Sequence, residues 1–368
     1  MKALIVTGEA SGDLYGGRLA EALHRRVGTI QLAGMGGSHM EQAGVQLLYH
    51  YGHVAVVGVF EVFGKLKHLR TAYRKIRDWI LSERPAFAVL VDFPDFNFRI
   101  ARLLKSQGIK TFYFISPQVW AWRKGRVRFL RSHVDLMISI LPFERDLYEK
   151  SGVPVEYVGH PLVEIVRKEV ACQPEFPRGE LPRLGLMPGS REVEVRRHLP
   201  VLLETLKLVR SRQEVESFLI WPPSFPPADG PIPGDVRIIH ENRYAAMASC
   251  DLLLVASGTS TLECAILAAP LLIVYRVTAI SWLLGKALVR VPYYGLVNWI
   301  AGRMIVPEFI QDRMNARELA GQALEYLKAP ERRERMKADL RRVVESLGPA
   351  GAIDRAVNAI LSRVNQSS

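Results

Sequence analysis

The sequence predicts an α/β protein of two doubly wound domains, in which helices cover both faces of a mostly parallel sheet. Three observations predict this fold class. Apolar runs of strand length alternate with amphipathic stretches of helix length. The alternation pauses at a stretch with three prolines, 171–183, and then starts again. A length of 368 residues exceeds what one ordinary core takes up. We therefore expect two domains facing a central cleft, with an interdomain linker at 171–183.

The elements of each half follow from the spacing of apolar residues. In the first half, strand-like runs cover 3–7, 29–32, 87–91, 111–115 and 136–140, and helical patterns cover 14–26, 63–83 and 98–107. In the second half, strand-like runs cover 184–187, 217–220, 236–239, 251–256 and 271–275, and helical patterns cover 192–212, a stretch that ends at 268, and the tail 316–364. Six prolines between 221 and 234 exclude a crossover helix, so we expect an extended loop there.

The start of the chain and its cysteines bear on location. Met1 is followed directly by a strand-like run without the regions of an export signal, and no uncharged run reaches the ~20 residues that a membrane span needs. Cys172, Cys250 and Cys264 fit no zinc spacing and are expected to be plain buried thiols in a reducing compartment. These features predict a cytoplasmic protein. The net charge of +12 predicts an anionic partner, which is nucleic acid, anionic lipid or a phosphorylated substrate.

A turn of small residues in the second half follows an apolar strand and opens a helix, at Ser257, Gly258, Thr259, Ser260 and Thr261. Such a turn offers backbone N–H groups and the positive end of a helix dipole to an anion such as a pyrophosphate. Glu263, in the first turn of that helix, suits a ribose diol. The alternative is a capping box from Ser260 to Glu263, which needs no ligand. The two uses are not exclusive, and the segment alone does not separate them.

A second turn in the same half, 188–191, also lies between a strand and a helix. Arg191 is suited to clamp a phosphate with its planar guanidinium. The alternative is a helix cap at Ser190 with a solvated arginine, and the segment alone favours that alternative.

Two loops of the first half carry carboxylates. The loop 8–13 joins the first strand to the first helix, lacks the spacing of a dinucleotide fingerprint, and places Glu9 and Asp13 where they suit sugar hydroxyls better than phosphate. Asp92 ends an apolar strand and is suited to take a proton from an attacking hydroxyl, or else supports the turn. For Asp95 we favour a cap of the helix that begins near Phe96.

The segment 56–77 mixes apolar and basic residues more densely than a core stripe requires. The mixture predicts docking on anionic lipid, whereas an ordinary amphipathic helix facing the core is the alternative. The segment 120–131 adds tryptophans and arginines, a mixture that also binds nucleic acid, but no recognised nucleic-acid module accompanies it. We assign the following residues to an acceptor-side and membrane surface: Val59, Phe60, Val62, Phe63, Leu66, Leu69, Trp120, Trp122 and Arg123.

The sequence does not indicate a metal site, a serine hydrolase or a P-loop nucleotide-binding protein. No cluster of His, Cys and carboxylate residues has metal-site spacing, and there is no G-x-S-x-G elbow and no P-loop. His160 is isolated in the sequence, so a structural role is expected for it.

Together these motifs resemble those of the lipid-A-disaccharide synthases, a family of glycosyltransferases with the GT-B fold of two Rossmann-like domains. The matching segments run in the same order over nearly the whole chain. They are 8–13, 57–58 with 61–62, 92–97, 116–123, 141–144, 158–160, 188–191, 256–264, 275–276, and 298 with 301–303. One such segment is weak support, but their collinear occurrence is specific.

The resemblance implies an inverting transfer in lipid A biosynthesis, in which UDP-2,3-diacylglucosamine and 2,3-diacylglucosamine 1-phosphate give a β-1,6-linked disaccharide 1-phosphate and UDP. By matching position, it implies Asp92 as the general base for the acceptor 6-hydroxyl and Glu9 as an acceptor-side or catalytic residue. Members of the family need no dedicated metal, so no cofactor is expected. The implied donor-nucleotide site comprises Ser190, Arg191, Ser257, Gly258, Thr259, Ser260, Thr261, Glu263, Tyr275 and Asn298.

The resemblance also implies the partners and the domain plan. The acylated, phosphorylated substrates and the anionic cytoplasmic face of the inner membrane are the expected partners, rather than nucleic acid. The GT-B pattern implies an acceptor-binding, membrane-facing domain at 1–170, a donor domain at 171–339, and terminal helices at 340–368 that cross back onto the first domain. The proline-rich loop 221–234 departs from the longer, helix-forming region of the family, in the domain expected to recognise uracil.

Three alternatives stay open at this point. They are another GT-B transferase of UDP-sugars, a UDP-sugar epimerase, and a basic lipid-binding or nucleic-acid-binding protein without activity. The sequence leaves open the preferred acyl-chain length and the oligomeric state, a homodimer included.

Overall fold

The computed structural model describes residues 1–52, 62–117, 124–177, 179–222, 232–278, 282 and 292–366, and for 62–66 and 124–125 the backbone alone. The chain divides into two compact units, which are 1–161 with 348–368 and 162–347. The first boundary therefore precedes the predicted one, and the predicted linker, 171–183, lies within the second unit. Hydrogen bonds explain this position, because Gln173 Oε1 accepts the Ala245 N–H at 2.9 Å and the Pro177 carbonyl accepts a hydrogen bond from the Arg183 guanidinium.

The first unit is built on a parallel sheet of seven strands within the described residues, in the order β3-β2-β1-β4-β5-β6-β7. Its strands are β1 (Lys2–Val6), β2 (Gln31–Gly36), β3 (Gln46–His50), β4 (Phe87–Val91), β5 (Lys110–Phe114), β6 (Leu136–Ser139) and β7 (Val155–Tyr157). Its helices before residue 161 are α1 (Ala10–Val27), α2 (Ser38–Gln42), α3 (Val62–Glu83), α4 (Pro94–Ser106), α5 (Lys124–His133) and α6 (Pro142–Lys150).

The packing of the first unit follows from its sequence pattern. Every residue of β4 is buried, as expected for a parallel strand covered on both faces. In α3, Ala72, Ile76 and Ile80 recur every fourth residue and are fully buried, which places one stripe of the helix on the sheet. The carboxyl ends of β1 and β4 thereby come to one edge of the sheet, because these strands are parallel neighbours.

The second unit repeats this plan with six strands among the residues described, in the order β10-β9-β8-β11-β12-β13. Its strands are β8 (Arg183–Met187), β9 (Glu216–Ile220), β10 (Arg237–Ile239), β11 (Leu252–Ala256), β12 (Leu271–Tyr275) and β13 (Glu308–Ile310). Its helices are α7 (Pro161–Cys172), α8 (Glu192–Arg210), α9 (Arg243–Ser249), α10 (Ser260–Ile266), α11 (Leu296–Ala301), α12 (Ala316–Lys328) and α13 (Pro330–Ser346), with a 3₁₀ turn at Gln311–Arg313.

The last helix, α14 (Ala352–Asn365), returns to the first unit. It contacts α1 and β5, and the Arg355 guanidinium donates to the Val158 carbonyl at 2.9 Å. The return starts at residue 348 rather than at the predicted 340, because α13 packs its apolar side, including Leu340, within the second unit.

The strands and helices predicted from the sequence are all present, with ends that differ by a few residues. The prediction omitted three short strands, β3, β7 and β13, and several short helices. Each omitted strand lies at or near a sheet edge, and β7 and β13 have three residues each, which is too few for a periodic pattern. Most of the proline-rich loop, 223–231, lies outside the described residues.

Candidate functional site

Both sheets have a topological switch point, where the chain order of neighbouring strands reverses direction. In the first unit it lies between β1 and β4, and in the second between β8 and β11. Ligands of open parallel α/β sheets bind beyond the carboxyl ends of the strands at such points. The loops that leave these four strands are 7–9, 92–93, 188–191 and 257–259, and the sequence singled out all four.

Glu9 lies at the start of α1, in extended backbone, and its side chain is exposed. The glycine before it is required by packing, because a Cβ at Gly8 would lie 2.3 Å from the ring of Phe93. The loop after β1 is thus in contact with the loop after β4. This contact places Glu9 near the first switch point.

Asp13 has a structural role, contrary to the expectation that it faces sugar hydroxyls. Its carboxylate is buried and accepts backbone N–H groups of Gly37 at 2.7 Å, His39 at 3.0 Å and Met40 at 3.2 Å. These are the free amides at the start of α2, which a carboxylate caps. Glu9 is therefore the exposed carboxylate of the loop 8–13.

Asp92 and Phe93 both adopt left-handed backbone, with φ of 46° and 48°. Such a conformation costs of the order of 1–3 kcal/mol for each non-glycine residue and tends to mark functional sites. The main chain of Asp92 is held on both sides. Its N–H donates to the Phe114 carbonyl at 3.1 Å, and its carbonyl accepts from Asn97 Nδ2 at 2.8 Å and from the Tyr113 hydroxyl at 2.6 Å.

These neighbours fix the loop with neutral groups. Asn97 is fully buried in the first turn of α4, and its amide also lies 3.3 Å from the Val91 carbonyl. Burial raises the pKa of Tyr113 well above its usual value, so its hydroxyl stays protonated and donates to Asp92. The Asp92 side chain is half-buried at the end of β4.

Asp95 does not cap α4, contrary to our expectation. The helix begins at Pro94 with Phe93 at the capping position, and no side chain there accepts a backbone hydrogen bond. Asp95 is exposed and forms an ion pair with Arg126 of α5 at 2.6 Å. The guanidinium of Arg126 also lies over the ring of Phe98 at 5.5 Å.

In the second unit, the loop after β8 is shaped by Gly189 and Glu194. Gly189 has a φ of 131°, and a Cβ there would lie 2.6 Å from Glu194 Oε2. That carboxylate accepts the N–H groups of Ser190 at 3.0 Å and Arg191 at 3.3 Å. The capping residue of α8 is Arg191 rather than Ser190, and the Arg191 side chain is 57% exposed.

His198 of α8, which the sequence analysis did not single out, joins two loops of this unit. Its Nδ1 lies 2.7 Å from the Pro188 carbonyl, and its Nε2 lies 3.0 Å from the Arg276 backbone N. The side chain is fully buried, and burial lowers the pKa of the imidazole. Its spacing from Arg191 marks no motif, so no sequence signal pointed to it.

The turn 257–261 presents three successive backbone N–H groups. Those of Gly258, Thr259 and Ser260 have no acceptor among the residues that the structure describes, and Gly258 and Thr259 are exposed. Ser257 is held in place, since its N–H donates to Val274 at 2.9 Å and its hydroxyl to the Tyr294 carbonyl at 2.8 Å. Such an arrangement of amides suits an anion.

Glu263 lies below this turn and does not form the predicted capping box, because the capping position of α10 is Thr259 and the carboxylate points elsewhere. Its Oε1 accepts the Arg243 guanidinium at 2.6 Å and the Tyr244 hydroxyl at 2.9 Å. Its Oε2 is buried and has no hydrogen-bond partner within the described part of the chain. One carboxylate oxygen is therefore fixed by protein, and the other keeps its accepting capacity.

Tyr275 and Asn298 occupy different positions. Tyr275 ends β12 half-buried, with its ring 5.8 Å from that of His198. Asn298 is fully buried and bonded within the protein, because its Nδ2 donates to Val306 and Glu308 and its Oδ1 accepts the N–H groups of Ile305 and Val306. Its amide has no group left for a nucleotide, so Asn298 braces the segment 305–308 that leads into β13.

The predicted membrane surface is described only in part. Val59, Phe60, Trp120, Trp122 and Arg123, and the side chains of Val62, Phe63 and Leu66, lie outside the described residues. Leu69 packs against the core of the first unit, as the amphipathic-helix alternative expects. The side chains of Lys67, Arg70, Arg74 and Lys75 on the same helix are exposed.

His160 is a core residue, and burial lowers its pKa to about 3. Cys250 and Cys264 are buried free thiols, whereas Cys172 is exposed rather than buried. Over the described ranges, no three His, Cys, Asp or Glu side chains are grouped to hold a metal ion. Within the same ranges, no helix is both long and apolar enough to span a bilayer.

Comparison with known proteins identifies relatives over the whole chain. A family model described as lipid-A-disaccharide synthetase matches residues 3–357. The chain is 39% identical over 378 residues to the lipid-A-disaccharide synthase of Syntrophus aciditrophicus (strain SB), covering 99% of this chain and 98% of the relative. It is 39% identical over 371 residues to that of Solibacter usitatus (strain Ellin6076), with coverage of 98% and 96%.

Solved structures show the same fold at low sequence identity. The crystal structure of the calicheamicin glycosyltransferase CalG4 superposes with a TM-score of 0.64 at 14% identity, covering 99% of this chain and 98% of that chain. Together with two parallel-sheet units, this similarity shows the GT-B fold that the sequence predicted.

Proposed function

Since the chain belongs to the lipid-A-disaccharide synthetase family, we propose that it joins UDP-2,3-diacylglucosamine to 2,3-diacylglucosamine 1-phosphate in lipid A biosynthesis. The products are the β-1,6-linked disaccharide 1-phosphate and UDP. The family match does not favour the alternatives of an epimerase or of a binding protein without activity.

One observation carries the assignment of the site. The shared strand order places a half-buried carboxylate, Asp92, at the switch point of the first unit. The same order places Arg191 and the amides of the turn 257–261 at the switch point of the second. We therefore assign acceptor chemistry to the first unit and recognition of the nucleotide diphosphate to the second.

The proposed reaction is a single displacement at the anomeric carbon of the donor sugar. The acceptor 6-hydroxyl oxygen forms the new bond to C1 while the bond from C1 to the UDP oxygen breaks, and the configuration at C1 inverts. Asp92 takes the proton of the attacking hydroxyl, as a positioned general base does. The strained, firmly bonded backbone at Asp92 supports this role, because it limits the positions that the carboxylate can occupy.

We assign stabilisation of the leaving group, UDP, to the second unit. The departing UDP carries two phosphate groups. The N–H groups of Gly258, Thr259 and Ser260, which lack an acceptor over the described ranges, and the exposed Arg191 guanidinium are suited to neutralise their charge. By matching position, the family resemblance assigns a ribose hydroxyl to Glu263, whose Oε2 is buried and has no hydrogen-bond partner among the described residues. We propose that no metal takes part, so a chelator should leave turnover unchanged.

The test is a two-substrate incubation read by product mass. We expect the disaccharide 1-phosphate, with one UDP released per product, only when both acylated substrates are present. Conversion of UDP-N-acetylglucosamine without acyl chains, or turnover of one substrate alone, contradicts the proposal. The first outcome would instead indicate another transferase, and the second would indicate an epimerase or a hydrolase.

We further propose that the basic face of α3 docks on the anionic cytoplasmic surface of the inner membrane. The helix turns its apolar stripe to the core, so Lys67, Arg70 and Arg74 point to solvent, where their charge is free to meet anionic headgroups. We expect the protein to bind mixed phosphatidylcholine–phosphatidylglycerol vesicles but not vesicles of pure phosphatidylcholine. Binding to the mixed vesicles should weaken as the salt concentration rises. The double variant Arg70→Glu, Arg74→Glu should abolish it, whereas Arg212→Glu, an exposed charge of the second unit, should not.

A further inference from the structure

The buried imidazole of His198 lies beneath the proposed donor site and contacts two of its loops. Nδ1 lies 2.7 Å from the carbonyl of Pro188, in the loop after β8 that carries Arg191. Nε2 lies 3.0 Å from the backbone N of Arg276, in the loop after β12. The side chain has no exposed surface, so it does not touch a ligand.

These contacts define the protonation of the ring. The Arg276 N–H points at Nε2 at 3.0 Å, and the Arg276 carbonyl lies 3.2 Å from the same nitrogen. On a neutral ring with hydrogen on Nδ1, Nε2 carries no hydrogen and accepts from the Arg276 N–H. A carbonyl accepts only, so Nδ1 must carry the proton that reaches Pro188. Burial lowers the pKa of His198, which keeps the ring neutral. The ring is therefore the neutral tautomer with hydrogen on Nδ1.

The two loops are not neighbours in the sheet. β11 lies between β8 and β12, so their ends are separated by two strand spacings, about 10 Å. The turn 257–261 leaves from β11, between the two loops that His198 joins. The Arg276 guanidinium donates to the carbonyls of Gln311 and Met314, which anchors the loop after β12 to the segment after β13.

We propose that His198 is a positioning residue for the donor substrate. It fixes the loop 188–191, and with it Arg191, relative to the amides of the turn 257–261, so that guanidinium and amides hold one diphosphate together. This inference rests on the proposed function, since it assigns the nucleotide to this switch point.

The test removes the two hydrogen bonds separately. In His198→Asn, the amide nitrogen is placed to keep the bond to Pro188, and the bond to Arg276 is lost. In His198→Gln, the amide oxygen is placed to keep the bond from Arg276, and the bond to Pro188 is lost. His198→Leu removes both. The asparagine and glutamine variants each retain one contact, so they provide the test if the leucine variant does not fold.

We expect the dissociation constant of UDP and the KM of the donor to rise about tenfold in the asparagine and glutamine variants, and more in the leucine variant. At saturating donor, kcat should stay within about twofold of the unmodified chain, with the acceptor KM unchanged, because the chemical step is untouched. The matched control is Thr205→Val, on the same helix, whose buried hydroxyl bonds only within that helix, to the Val201 carbonyl at 2.7 Å. It should lower the melting temperature without changing UDP affinity.

The outcomes distinguish a failure of the positioning role of His198 from a failure of the proposed function. Lower melting temperatures with unchanged UDP affinity and donor KM would overturn the positioning role, as would a loss confined to kcat. Nitrogen-15 NMR of the imidazole gives a second test, and hydrogen on Nε2 in place of Nδ1 would also overturn it. An unmodified chain that binds no UDP would instead defeat the proposed function, whatever the variants do.

Discussion

In each unit one loop follows the first strand along the chain, β1 or β8, and a second loop follows the strand beside it, β4 or β11. The two switch points nevertheless carry different groups. The first has the carboxylates Glu9 and Asp92 and two consecutive left-handed residues. The second has small residues, three amides without an acceptor in the described part of the chain, and an exposed arginine. One backbone plan thus carries carboxylates at the point where we propose proton transfer, and small residues at the point where we propose anion binding. The difference teaches that the fold supplies the location, and the loop residues supply the function.

The means of support also differ. The loop of Asp92 is braced by the neutral groups of Asn97 and Tyr113, whereas Glu263, below the second switch point, is held by the charge of Arg243. The brace at Asp92 holds its main chain and uses no charged group. The ion pair at Glu263 fixes one oxygen, and the other is buried without a hydrogen-bond partner among the described residues.

The largest effect should come from Asp92→Asn, which tests whether the first switch point alone performs proton transfer. Removal of a positioned general base is expected to lower kcat by roughly 10²–10⁴-fold. UDP affinity, measured by calorimetry, should not change, because the nucleotide is assigned to the second unit. Equal losses of turnover and UDP affinity would break the division between the two units.

Next in size is the loss of the charged brace in Glu263→Leu. We expect the free energy of unfolding in urea to fall by about 3 kcal/mol, the lower end for breaking a buried pair, since the Arg243 side chain is 28% exposed. Tyr113→Phe, which removes one neutral hydrogen bond of the first unit, should cost about 1 kcal/mol. If Tyr113→Phe lowered the free energy of unfolding more than Glu263→Leu does, the contrast between a neutral and a charged brace would be wrong.

The third prediction concerns pH and the core of the first unit. His160 has its pKa lowered by burial to about 3, against an ordinary value of 6.5, so the unfolded chain binds a proton between these values and the folded chain does not. Its stabilising effect is therefore complete above the unfolded pKa and is lost as pH falls. Between about pH 7.5 and about pH 5, this residue should account for ~2 kcal/mol of lost unfolding free energy. His160→Gln should reduce the pH dependence by that amount, and an unchanged slope would refute the assignment.

The last prediction concerns Arg191→Ala at the second switch point. UDP should bind about tenfold more weakly, because one charge-assisted hydrogen bond to a phosphate is lost from an exposed side chain. Arg196→Ala, on the same helix and paired with Glu192, is the matched control and should bind UDP normally. If both variants weaken UDP to the same degree, general positive charge rather than a specific contact holds the nucleotide.

Much of the fold was predictable because its signals are local. Buried parallel strands are continuous apolar runs, and helices that face a sheet repeat their apolar residues every three or four positions, so the main elements of both units followed from the sequence. The loops of the site were predictable for a similar reason, since a small-residue turn or a carboxylate directly after a strand is a local pattern. Short edge strands and the exact unit boundaries depend on contacts distant in sequence, and the prediction misplaced them.

The sequence by itself determined the fold class, the family and the four loops to which we assign the chemistry, because each depends on residue types at short spacing. Only the tertiary structure decided what individual polar side chains do. It assigned Asp13 to the cap of α2, Asn298 to a loop brace and His198 to a link between two loops. The physical reason is that a buried donor or acceptor must find its partner in three dimensions, and the partners here lie up to 78 residues away along the chain.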